Sequence, residues 1–262
     1  MISTKATRIW TEFGYLFVDD LYLGEKVISF NPDRGVCEYD SIQSIEIEHR
    51  RCMGFGINSK SMRQLLTPDH PILIWNVRHK VLDRVPIKDK FMFSLEAGKN
   101  KAVLAHALFE PYKTTVEIDD LKWSARLAAT MASYRWARAD IKHIVSDLGG
   151  YEAQVWLDTF FHWNKLLPAK NWMKTVHLSN LEIRDMIFDI GPRAGVGVKN
   201  YTRYAGRVVS ITTDGLVNPT PAAGWYKQEI NESVFNVTTR NGNVLARSSN
   251  GTFLVACNKG EK

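Results

Sequence analysis

The segment Leu66-Thr67-Pro68-Asp69-His70-Pro71 carries a hydroxyl and an imidazole three residues apart on a proline-bracketed turn. Those side chains can hold a bond by hydrogen bonding and move a proton. Read alone, the segment is a Thr-Pro-Asp turn whose histidine caps a strand. Asn258, read alone, is a surface asparagine near the end of the chain. The three cysteines, Cys37, Cys52 and Cys257, are too scattered for a disulfide framework or a zinc site. Asp140, Asp147 and Asp158 are acids that could hold a metal, and ordinary surface acids are the expectation for them. No Gly-rich phosphate loop, paired-cysteine motif or nucleophile elbow is present.

These residues need a scaffold, and the first hundred residues read as short strands. Thr7–Thr11, Tyr15–Val18, Lys26–Phe30 and Ser41–Ile47 are rich in β-branched and aromatic residues, with Gly- and Pro-bearing turns between them. Met62–Leu66, Ile72–Val77 and Phe91–Ser94 continue the pattern, which favours an all-β barrel or sandwich over a βαβ fold. After about Val116 the texture changes. Asp119–Ile144 and Glu152–Asn164 lack Pro and Gly, and Trp123, Leu127, Thr130, Met131 and Tyr134 recur near helical spacing, which predicts a buried face. Ser179 and Glu182 form a capping-box pattern before a helix that should stop near Gly191-Pro192. Strands are expected near Lys174–Leu178, Val196–Tyr204 and Arg207–Thr212. From Val234 the β texture returns at Val234–Thr239, Val244–Arg247 and Thr252–Ala256, with Asn241-Gly242 and Asn250-Gly251 as hairpin-type turns. The order β, then α/β, then β is that of an insertion into a β domain.

Composition narrows the classes. The chain is 262 residues long, 45% hydrophobic and 24% charged, the balance of a folded soluble protein. Its longest apolar stretches, such as Pro71–Trp75, are far too short to span a bilayer. Met1–Arg8 has no apolar core of a signal peptide, so no membrane partner and a reducing, cytoplasmic setting are expected. The net charge of +6 and pI near 9.1 fit a polyanionic partner and simple solubility equally.

Four pieces together resemble the conserved ends of inteins. Thr7-Arg8-Ile9-Trp10-Thr11 through Gly14, then Asp20-Leu21-Tyr22-Leu23-Gly24-Glu25-Lys26-Val27-Ile28-Ser29-Phe30-Asn31, is similar to the family's opening block. Leu66–Pro71 is similar to its T-x-x-H block, and Val234–Thr239 and Phe253–Asn258 to its final pair. These pieces cover about half the chain, in the family's order. The resemblance implies a mainly β, horseshoe-like Hint domain built from both chain ends, and a single-turnover self-processing chemistry. It gives Thr67 the positioning of the bond before residue 1 and His70 the protonation of the departing nitrogen. Asn258 would close its side-chain amide onto its own carbonyl, forming a succinimide and cutting the chain.

The departures are as informative. Residue 1 is Met1, where the family has Cys or Ser, and a thioether cannot make the acyl shift. Cys257 stands where histidine is usual, and Lys259 where a Cys, Ser or Thr should accept the chain. Asn236 stands where many inteins have Asp or Cys, and Gly242 roughly where some have His. Complete splicing is not expected from this chain, while cleavage after Asn258 remains chemically open. The partners implied are the flanking host segments, and no cofactor is needed.

Between the ends, Trp156–Lys165 is similar to a degenerate copy of the helix of LAGLIDADG homing endonucleases. Asn164 falls at the metal-binding acid and Lys165 at the glycine; a neutral amide is a poor ligand for a hard cation. An earlier candidate, Leu127–Arg135, would put Tyr134 at the acid. DNA cleavage is therefore not expected, and Mg²⁺ would matter only if the insert were active. Trp123, Trp136, Trp156, Phe160, Phe161 and Trp163 are expected as core. The basic residues Arg126, Arg135, Arg138, Lys142, Lys170, Lys174, Arg193, Lys199, Arg203 and Arg207 are either a solvated surface or a face for double-stranded DNA. The expected organisation is 1–115 and 216–258 as the two Hint parts, 116–215 as the insert, and 259–262 as flanking residues, in a monomer. The alternative is a DNA-binding or homing-endonuclease protein with the Hint part as scaffold.

Overall fold

A computed structural model describes the chain except residues 4–6, 59–62, 77–80, 90–100, 105–106, 108, 111–115, 135–140, 146–147, 165–172, 202–207, 213–215, 218–223, 249–250 and 261–262. Chain order is β1 (Ile2–Ser3), β2 (Arg8–Thr11), β3 (Gly14–Phe17), β4 (Lys26–Asn31), β5 (Val36–Ser41), β6 (Ser44–Asn58), β7 (Arg63–Leu66), β8 (Pro71–Asn76), β9 (Val81–Pro86) and β10 (Lys101–Leu104). Then follow α1 (Ile118–Met131), α2 (Lys142–Val145), α3 (Gly150–Trp163), β11 (Met173–His177), α4 (Leu181–Arg193), β12 (Val198–Tyr201) and β13 (Val208–Thr212). The chain ends with β14 (Leu216–Val217), β15 (Trp225–Thr239), β16 (Asn243–Ser248), β17 (Gly251–Ala256) and β18 (Asn258–Lys259). Two compact units result, Met1–Ala105 with Leu216–Lys262, and His106–Gly215.

The first unit is built of strands. One sheet runs β1-β7-β6-β15-β18, and β1 also pairs with β15, so β1, β7, β6 and β15 close on themselves. A second runs β17-β16-β2-β4-β5 with β3 on β2, and a third β14-β10-β8-β9. Among these pairings only β15–β18 is parallel. The chain leaves this unit after β10 and re-enters at β14, and those strands pair, Val103 opposite Val217. An excursion between two bonded strands leaves the ladder intact, which is why the unit can carry a hundred-residue interruption. The core is formed by Ile2, Ile9, Val27, Ile57, Leu66, Phe235, Phe253 and Val255, every one nearly inaccessible. Asn243 crosses that core: its Oδ1 accepts from Phe30 N at 2.6 Å and its Nδ2 donates to Phe30 O at 2.8 Å, stitching β16 to β4.

The strand expectations need correction. Ser41–Ile47 is not one strand, because the chain changes partner at Ile42-Gln43: Ile42 N bonds Glu25 O, whereas Gln43 N bonds Thr238 O. The ladder thus passes from β4 to β15. Also unexpected were β5, β9, β10, the part of β6 beyond Ile47 and the first half of β15. Val36–Ser41 and Trp225–Ser233 lack regular apolar alternation, and partner ladders hold them: β5 on β4, and β15 on β6 from Trp225↔Ile57 to Thr238↔Ser44. At the β4–β5 turn, Asn31 Oδ1 accepts from Asp33 N and Arg34 N, and Gly35 takes φ +69°, which a glycine adopts without strain. The strand expected at Phe91–Ser94 and the turn residue Asn250 lie outside the described residues.

The second unit packs α1, α3 and α4 with the antiparallel sheet β11-β13-β12. The buried face of α1 is Leu121, Ser124, Ala125, Ala128 and Ala129; Trp123 and Tyr134 are 57% and 63% exposed. Of the residues expected to be buried, Leu127 and Met131 flank the core and are partly buried, while Trp123, Thr130 and Tyr134 are exposed. Small residues win the interior because they let α3 approach closely, and α3 fills the space with Trp156, Phe160 and Phe161. Trp156 stacks on Phe160 at 5.3 Å and donates its indole N–H to Ser124 Oγ at 3.0 Å. Trp163 is exposed rather than core, beneath the Arg126 guanidinium 5.2 Å from its ring centre, and Trp136 lies outside the described residues. The helix expected over Asp119–Ile144 ends at Met131, and Lys142–Val145 is a separate turn.

The cap of α4 is Asn180, not Ser179. Its Oδ1 accepts from Glu182 N and Ile183 N, and its Nδ2 donates to Tyr134 O. The carboxamide accepts at the helix start through its oxygen and donates to a second segment through its nitrogen. The helix also continues through Gly191-Pro192 to Arg193 instead of stopping there.

Candidate functional site

The first residue of the chain is fixed by strand pairing. Ile2 lies opposite Phe235 on β15 and Leu66 on β7, which puts Met1 beside Asn236 and the start of the Thr67–His70 turn. That turn is closed by His70 N bonding Thr67 O at 3.0 Å, and Ile87 N bonds His70 O at 2.9 Å. Thr67 N in turn bonds Met1 O at 3.0 Å. The side chains then converge on one atom: the Met1 nitrogen donates to Thr67 Oγ1 at 2.8 Å and lies 2.7 Å from His70 Nδ1.

The other ring nitrogen, Nε2, lies 2.7 Å from Ala256 O. A carbonyl can only accept, so Nε2 carries the proton and Nδ1 offers its lone pair to residue 1. Burial holds the imidazole well below its ordinary value of 6.5, the Met1 amine and Arg84 push the same way, and the Ala256 carbonyl opposes them. His70 is therefore neutral at neutral pH. Burial also lowers the Met1 amine to about 5, helped by Arg50 and opposed by Glu48, Cys52 and Asp69.

Ala256 ends β17, and the chain continues directly into Cys257 and Asn258. Cys257 is buried, and burial pushes its thiol up to about 12, against the lowering influence of Thr239 and Arg84. It remains a thiol, and its S–H donates to Asn258 O at 3.6 Å. Asn258 and Lys259 are exposed and lie in parallel register with Thr238 and Thr239. Beyond them Gly260 N bonds Thr239 O at 2.9 Å.

These pieces line one cleft of about 720 Å³, formed by Met1, Thr67, His70, Asn236 and Asn258, with Ile45–Glu48, Arg50, Asp69 and Pro71 around it. Asn236 is buried, and its Oδ1 has no hydrogen-bond partner among the described residues. A residue that the sequence did not single out adjoins this end of the chain. Arg84 on β9 donates through Nη1 to Gly242 O at 2.8 Å and through Nη2 to Cys257 O. Gly242 takes φ +72°, and a Cβ there would lie 2.4 Å from Arg84 Nη1. No motif contains Arg84; only the pairing of β9 with β8 brings it there.

The basic candidates belong to the second unit. Arg193 donates to Leu148 O at 3.1 Å, and Lys199 is half-buried on β12; Arg203 and Arg207 lie outside the described residues. Asn164 caps α3, donating from Nδ2 to Phe160 O at 2.9 Å, and Asp158 pairs with Lys174 at 2.6 Å. Lys165, Asp140 and Asp147, with the basic residues Arg135, Arg138 and Lys170, are outside the described residues. Among the described residues no group of three or more His, Cys, Asp or Glu side chains is arranged to hold a metal ion.

No family model and no curated protein sequence matches the chain. Solved structures it resembles include inteins and an intein-like domain. A splice-inactive variant of the AceL NrdHF class 3 split intein is 8% identical with a TM-score of 0.45, over 98% of this chain and 97% of that one. A mutant of an Ssp DnaB mini-intein variant is 10% identical with a TM-score of 0.37, over 100% and 94%. The bacterial intein-like domain from Clostridium thermocellum is 11% identical with a TM-score of 0.35, over 97% of each chain. Function is read from the cleft itself.

Proposed function

We propose that the first unit is an intein-like (Hint) self-processing module that cuts its own chain after Asn258 and is impaired in complete splicing. The observation that carries this reading is the cleft in which Met1, the Thr67–His70 turn and Asn258 meet, although 257 positions separate the chain's first residue from that asparagine. Joining two ends requires both to reach one site.

The step is an intramolecular displacement. Asn258 Nδ2 attacks the Asn258 carbonyl carbon, a succinimide ring forms, and the bond to Lys259 nitrogen breaks. The proton lost by Nδ2 ends on the new Lys259 amine. Negative charge develops on Asn258 O, where the Cys257 thiol already donates. A thiol is a weak donor, so this step is slower than one assisted by an imidazole. On the other side of the cleft, Thr67 and His70 hold the nitrogen of residue 1, but the Met1 thioether cannot attack a preceding carbonyl. The second unit is read as the family's inserted endonuclease domain, with Asn164 at the position of the metal-binding acid.

Intact mass of the purified chain over time, at several pH values, tests the proposal. Loss of Lys259–Lys262, abolished by Asn258→Ala, is the expected result; a mass that never changes refutes the cleavage. Within flanking host sequence, Met1→Cys with Lys259→Cys should restore some ligated product.

A further inference from the structure

We infer that Arg84 is the positioning residue for attack at Asn258, an inference that rests on the cleavage reading above. Arg84 bonds the carbonyl of Cys257 directly, and it shares Gly242 O with the Cys257 N–H, which bonds the same oxygen at 2.8 Å. Both backbone groups of residue 257 are thereby held against one guanidinium and one carbonyl. A planar fork can do this, because its two terminal nitrogens address two acceptors in fixed geometry.

The consequence falls on the next residue. The peptide linking 257 to 258 is planar, so fixing the Cys257 carbonyl fixes the axis about which Asn258 turns. Downstream, Gly260 N bonds Thr239 O at 2.9 Å, so the leaving segment is held too. The remaining freedom is that of Asn258 itself, whose Nδ2 must reach its own carbonyl carbon. Arg84 touches neither reacting atom and acts through Cys257.

Gly242 belongs to the same device. A Cβ at 242 would lie 2.4 Å from Arg84 Nη1 and 3.0 Å from Lys259 Cβ, so the guanidinium occupies space that any side chain there would need.

The test compares cleavage rates by intact mass in wild type, Arg84→Ala and Arg84→Lys. Loss of positioning predicts a rate lower by about 10²-fold in Arg84→Ala. Arg84→Lys should fall between, since one ammonium cannot bridge both carbonyls in the same geometry. Added methylguanidinium should recover part of the rate in Arg84→Ala, which a general loss of stability would not allow. Amide exchange at Cys257 and Gly260, measured in Asn258→Ala chains that stay intact, should quicken at least tenfold when Arg84→Ala is added. Unchanged exchange, or unchanged cleavage in Arg84→Ala, overturns the inference. A wild type that never cleaves, with exchange quickened by Arg84→Ala, overturns the cleavage reading and leaves the clamp standing. If Arg84→Ala does not fold, Arg84→Lys carries the same two measurements.

Discussion

Acidification should loosen the first unit from the Met1–His70 contact outward. The Met1 amine falls from 8.0 to about 5 in the folded chain, chiefly through burial, and His70 falls well below 6.5 for the same reason. Both groups bind protons more readily unfolded than folded. The sign follows: stability is full above pH 8 and declines as pH drops toward 5, the amine acting over the whole window and His70 below 6.5. A shift of that size on the amine corresponds to roughly 4 kcal/mol. The two nitrogens are 2.7 Å apart, so the amine and the imidazole cannot both be positively charged in place, which steepens the loss below 6.5. Urea unfolding followed through the amide signal of Leu66, which pairs with Ile2, reads this directly. Acetylating the Met1 amine keeps an N–H for Nδ1 but removes its titration, so the decline between pH 8 and 6.5 should vanish while the part below 6.5 remains. Equal slopes in free and acetylated chains would refute the reasoning, as would equal midpoints at pH 8 and pH 5.5.

Gly242→Ala forces an L side chain to φ +72°, at about 1–2 kcal/mol, and drives its Cβ onto Arg84, so cleavage by mass should fall as in Arg84→Ala. Asn180→Ala removes the α4 cap and the bond to Tyr134 O; thermal unfolding of the second unit should lose about 1–2 kcal/mol with the cleavage rate unchanged. Phe160→Ala leaves a void in the fully buried Trp156–Phe160–Phe161 cluster, costing roughly 3–5 kcal/mol by denaturant midpoint.

By itself the sequence determined the local features of this protein. The β-branched runs marked most strands of the first unit, because period and turn residues are local signals. The Thr67–His70 spacing marked a turn that carries a hydroxyl and an imidazole, and the order of the blocks drew attention to Asn258. Local signals could not find β5 or the polar half of β15, which exist only because β4 and β6 offer them ladders. They also misread α1, where large residues suggested the interior and the alanines took it, since close approach of α3 is a property of the pair. Arg84 is the clearest case. Nothing near it in sequence sets it apart, and its partners at Gly242 and Cys257 are more than 150 positions away. A site that joins two distant ends of a chain is specified by strand register, and only the tertiary structure decides which residues that register brings together.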